Sequence, residues 1–303
     1  MIAIVAALAS ALFLAVASVL QHRAGSSHAR PTLRHVLRHR LWIFGSIAGV
    51  AGFALHVVAL SNGALSVVQP LLVSGLLFAL PLSRALDRRA IHAADVGAAA
   101  LVVGGLAIFQ LTARPAQGRS VADLPTLAWC VIVAVAVTGV GIALAARRPR
   151  DRAAWLGFCA GAAYGLVAAL LKSSVGVFNG HGIGVLLTWP LYAFIVLVAG
   201  AIAINQLAFN AGPLARSLPL ITIVDPLVSV VIGSVAFGET VSSNPRLVVG
   251  QVIGFVVMSV GVLILSRRAE GSDRQLAPVS SVRERPSPTQ SSRSAHSTTT
   301  ASL

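Results

Sequence analysis

The sequence predicts an all-α polytopic membrane protein: nine transmembrane helices forming two inverted four-helix repeats joined by a linker helix. Three observations predict it. Of 303 residues, 56% are hydrophobic and only 11% charged, with a mean hydropathy of +0.85, too apolar for the surface of a water-soluble domain. Nine stretches reach the roughly 20 apolar residues needed to cross a hydrocarbon core about 30 Å thick. The chain also resembles itself across its midpoint, segment by segment and in the same order.

The first repeat, residues 1–112, holds spans at about 2–20, 41–60, 64–83 and 94–111. "LAVAS" (14–18) offers an Ala-x-Ala cleavage site, but no basic segment precedes the apolar run and the run has a counterpart later in the chain. It is read as a span rather than a signal peptide. Residues 113–152 form the linker, with one span at 127–146. The second repeat, 153–266, holds spans at 153–172, 190–209, 214–237 and 247–266. Gly63, and Gly212 with Pro213, supply tight turns between antiparallel neighbours. After Ser266 the composition shifts to Ser, Thr, Pro and Arg, so 267–303 is expected to be a disordered cytoplasmic tail.

The net charge of +14 would suggest nucleic acid in a soluble protein; here the cations lie in short loops and the tail. No nucleic-acid partner is expected, and the bilayer is. Of 23 Lys and Arg residues, all but Arg114, Arg119, Lys172 and Arg246 fall on one side when loops alternate. By the positive-inside rule the C-terminus is cytoplasmic and the N-terminus outside, in the cell membrane. Cys130 and Cys159 both lie in apolar runs and support neither a disulfide framework nor a thiolate metal site.

Residues 10–25 match 161–176, pairing Phe13 with Tyr164 and Gln21 with Lys172. Residues 54–72 match 203–221, pairing Gly63 with Gly212 and Pro70 with Pro219. "GAAALVVGGLAIF" matches "GFVVMSVGVLILS", pairing Gly97 with Gly254 and Gly104 with Gly261. Spans one to four therefore correspond to spans six to nine. An odd number of crossings separates each pair, so the repeats enter from opposite sides. Inverted repeats of this kind build many alternating-access transporters, with substrate held between the halves.

Polar side chains inside spans face the interior or a cavity. The candidate substrate-binding set is His56, Gln69, Lys172, Asn205, Gln206, Asn210 and Asp225. Lys172, the only lysine, is placed at the end of span six, where it either snorkels or lines a pathway mouth. Gln206 and Asn210 share a helical face, for a substrate or for a neighbouring helix. His56 and Asn205 match in the repeat and are expected at comparable depth across a central cavity. Asp225, in "LPLITIVDPLVS", is read as the one acid deep in any span. A buried carboxylate must be neutral, partnered or functional. Pro70, Pro81, Pro219 and Pro226 are expected to interrupt spans three and eight, with Pro70, Pro219 and Pro226 marking breaks beside the site. Glu239, in "FGET", reads as a solvated loop acid.

"AAYGLVAALLKSSVG", "INQLAFNAGPLARSLPLITI" and "DPLVSVVIGSVAFGETV" followed by "GQVIGFVVMSVGVLIL" resemble segments of the drug/metabolite transporter superfamily, in its EamA-like and NIPA-like branches. The resemblance covers about residues 1–266 and implies a transporter. It departs at "GFALH", where Phe53 and His56 stand at the Glu and Asn positions of the NIPA-like motif. That weakens the magnesium transport this branch implies, since Mg²⁺ prefers oxygen ligands.

No His-Glu-x-x-His helix, phosphate-binding glycine loop or Gly-x-Ser-x-Gly elbow occurs, so the chain is not read as an enzyme and no cofactor or metal site is expected. The expected function is secondary transport of a small organic solute or metabolite, with Asp225 and His56 permitting proton coupling. The alternatives are a NIPA-like divalent-cation transporter and a non-transporting accessory or lipid-handling membrane protein.

Overall fold

The computed structural model describes residues 1–26, 40–86, 92–113, 116, 118–212, 214–240, 242 and 244–274. Among these, nine helices are long and apolar enough to cross a membrane, matching the nine stretches read from the sequence. In chain order the helices are α1 (Ile2–Ser26), α2 (Arg40–Asn62), α3 (Leu65–Leu72), α4 (Gly75–Leu86), α5 (Ala93–Ala113), α6 (Leu124–Arg147), α7 (Arg152–His181), α8 (Trp189–Asn210), α9 (Leu214–Phe237) and α10 (Pro245–Arg274). α10 continues to Arg274, past the expected start of the tail; the remainder of that tail and Pro213 lie outside the described residues.

The third span is broken, as expected from Pro70. Its missing N–H removes a rung of the helical ladder, and Val73, Ser74, Leu76 and Leu77 bond three residues back rather than four, separating α3 from α4. Pro81 lies inside α4 without breaking it. The eighth span corrects the expectation. α9 runs unbroken through Pro219 and Pro226, so neither proline interrupts it. Neighbouring helices and side-chain hydroxyls can satisfy carbonyls that a proline frees within a bundle.

α1 packs on α2, α3 and α4; α7 packs on α6, α8 and α9; α5 packs on α10; and α3 meets α9. Of the α7 segment, 72% is buried, against 11% for α6 and α8, so α7 is the axis and those two lie on the outside of the bundle. Small residues make this possible. Gly157, Gly161 and Gly165 form one stripe on α7, and a Cβ on any of them would stand 2.7–2.9 Å from the carbonyl oxygens of Ser217, Ile221 and Asp225 on α9. Close backbone approach of this kind supplies dispersion contacts in a medium that offers no hydrophobic drive between helices. Gly105 and Gly254 do the same for α5 and α10. Across α1 and α2, the Ser10 hydroxyl donates to the Gly52 carbonyl at 2.8 Å.

Candidate functional site

The sharpest departure from expectation lies at the α9 C-terminus. Glu239 is buried, not solvated. Its Oε1 accepts from Lys172 Nζ at 2.5 Å and from the Leu65 N–H at 2.6 Å. Its Oε2 accepts from the Ser66 N–H at 3.0 Å and the Ser66 hydroxyl at 2.8 Å. The carboxylate thus caps α3, where free N–H groups and the helix dipole favour negative charge. Gly238, at φ +64°, takes the left-handed turn that carries the chain from α9 to this position. The segment before α6 covers it: Ala116, Arg119 and Asp123 N–H groups donate to Thr240, Phe237 and Ala236 carbonyls.

Lys172 is corrected by the same contact. α7 extends to His181, so Lys172 is not at a helix end and does not snorkel. It is buried, paired with Glu239, and lies 4.8 Å from the centroid of the Phe237 ring.

A second ionic cluster closes the opposite end. Asp95, in the first turn of α5, is buried; its Oδ2 accepts from Arg84 at 2.9 Å and from the His92 N–H at 3.1 Å, and Arg268 stands 3.6 Å from its Oδ1. Asp95 lies at the start of its span rather than deep within it, and it was missed because its place beside an arginine-rich loop reads as a solvated helix start.

Between these ends the polar residues fall into two groups. His56 on α2 and Gln69 on α3 meet at 3.4 Å. Gln69 lies one turn from Ser66, so this pair sits just beneath the Glu239 cap. On the other side of α7's axis, the Asn205 amide donates to the Tyr164 hydroxyl at 3.3 Å. Tyr164 directly precedes Gly165, which packs against the Asp225 backbone. The Ser229 hydroxyl, 3.4 Å from Asp225 Oδ1 and 3.5 Å from the Gly165 carbonyl, serves one of them at a time.

By their distance from the helix ends, His56 and Asn205 lie at different depths, whereas comparable depth was expected. Each precedes the C-terminal end of its helix by about 8 to 9 Å at 1.5 Å per residue. The α2 end adjoins α3 and the Glu239 cap at the α9 C-terminus, whereas the α8 end adjoins the α9 N-terminus. Their depths are thus mirrored rather than equal. Gln206 and Asn210 are exposed on the last turns of α8, away from these interior groups. A groove of about 270 Å³ lined by Ala136, Val137, Val140, Gly141, Leu144, Trp155 and Phe158 lies between α6 and α7. Its lining is apolar and includes none of the candidate residues.

Among the described residues, nine helices long and apolar enough to cross a membrane define the class: a multi-pass α-helical membrane protein. The chain is 34% identical over 277 residues to an uncharacterized protein of Corynebacterium glutamicum, covering 88% of this chain and 95% of that one, and it belongs to that protein's family. No family model matches the sequence. No solved structure matches it.

Proposed function

We propose that the protein is a secondary transporter of a small organic solute in the cytoplasmic membrane, working by alternating access between two inverted four-helix repeats. The observation that carries this reading is the placement of His56, Gln69, Tyr164, Asn205 and Asp225. Gln69 is buried and the other four are half-buried, on spans that lie between two ends each holding a buried ion pair. Interior polar groups in a membrane are costly, and lining a solute path is their commonest use. The packing supports the repeat: α1 with α2 to α4 parallels α7 with α8 and α9, while the halves meet through α3 with α9 and α5 with α10, pairs that a two-fold axis would map onto themselves. The likeness to the drug/metabolite transporter superfamily rests on the sequence motifs and points the same way. The excess of Lys and Arg on the side of the Arg84 cluster supports a cytoplasmic location for that end and an exterior one for the Glu239 end.

Full-length protein in proteoliposomes, loaded with a metabolite mixture and followed by mass spectrometry of both compartments, tests the reading. Saturable flux that is lost in empty vesicles is expected. No flux in either direction across a broad panel overturns it.

A further inference from the structure

We propose that Asp225 is the recognition anion for an organic ammonium ion, held between α7, α8 and α9. The proposal deepens the transport reading by naming the substrate class, and it rests on a contrast among three acids. Asp95 has Arg84, Arg268 and a backbone N–H. Glu239 has Lys172, two backbone N–H groups and a hydroxyl. Asp225 has only the Ser229 hydroxyl at 3.4 Å, which it shares with the Gly165 carbonyl; among the described residues no cation reaches it.

Asp225 is half-buried within a span, where a carboxylate that stays charged needs a counter-charge and strong donors. The chain spends its one lysine on Glu239 and the arginines nearest the interior on Asp95. An ammonium ligand would supply the counter-charge that the described residues do not. The surroundings fit an N–H cation with a carbon skeleton. Tyr164 offers an aromatic face and a hydroxyl, and the Asn205 amide, bonded to Tyr164 through one end, keeps its buried Oδ1 without a partner. Ile221, Val224 and Val228 on α9 pack the same stretch against the α7 glycines. A hard divalent ion would demand an oxygen shell and commonly more carboxylate than this. An ammonium group uses one carboxylate, an amide oxygen and a ring.

The test uses detergent-solubilised full-length protein, calorimetric titration, and phenethylammonium as probe, with phenethyl alcohol, benzoate and Mg²⁺ as comparators. Saturable binding of phenethylammonium alone is expected. Asp225→Asn should weaken it about 10- to 100-fold, the loss of one charge-assisted contact. Tyr164→Phe should weaken it less, and Asp225→Glu should retain part of it. The ligand-free thermal midpoint of Asp225→Asn should equal or exceed that of the native chain, which separates lost recognition from lost folding. Equal binding of the alcohol, Mg²⁺ binding that depends on Asp225, unchanged affinity in Asp225→Asn, or no saturable binding of phenethylammonium each overturns the proposal. Because binding in detergent requires no flux, ammonium binding without transport of any solute would sink the transporter reading and leave this site standing. Flux of anions alone, with no ammonium binding, would do the reverse.

Discussion

At the α9 C-terminal end, Lys172 and Glu239 sit side by side with side chains only 4% and 0% exposed, tied to the backbone of α3 and roofed by the segment before α6. At the opposite end, Asp95 is just as buried, yet its cations grade outward from Arg84 at 9% exposure to Arg268 at 42%. The first is a closed one-to-one pair; the second is a network with a wet rim. The difference teaches where rigidity is placed. Removing a partner from a sealed pair strands a charge in low dielectric, whereas a network with solvated members can redistribute. The end with the wet rim should therefore separate at lower cost than the sealed one.

The largest expected effect is therefore at the sealed pair. Lys172→Met or Glu239→Gln alone should destabilise the purified protein by about 3–5 kcal/mol, read as a lowered thermal midpoint. The double variant should cost less than the sum of the two. Asp95→Asn or Arg84→Met should cost less, about 1–3 kcal/mol, because neighbours remain to pair or hydrate what is left. Equal losses at the two ends would break the comparison. Arg268→Gln should fall within about 1 kcal/mol of the native chain, as half-exposed ion pairs do. The smallest effect concerns pH. Asp123 caps α6, and the Thr126 hydroxyl and N–H hold its carboxyl below its ordinary value. Its contribution is present above the ordinary carboxylate range and is lost as pH falls through the depressed value. Asp123→Asn should flatten only that acid limb in a midpoint-against-pH series.

The spans were legible because apolar length is a local property, readable one window at a time. The break after Pro70 was legible for the same reason: a proline acts within one turn of itself. What proline does inside α9 was not, because the outcome depends on what packs beside it. The role of Glu239 was hidden in a different way. Its neighbours Gly238 and Thr240 read as loop, and nothing local announces that α3 and Lys172 converge there. The glycines at 157, 161 and 165 were the missed signal. Their four-residue spacing marks α7 as the helix that others approach, and a helix so approached does not leave its lysine at the surface.

α7 also sets a timetable for making the protein. It emerges with the lowest hydropathy of the nine spans, 1.8, and its glycine stripe finds its main partner only when α9 follows. Lys172 waits another 67 residues of synthesis for Glu239. Until then the nascent chain holds an uncompensated cation and a bare small-residue face in the bilayer. Chains truncated before Glu239 should accumulate to lower steady-state levels than the full chain, read by immunoblot of membranes.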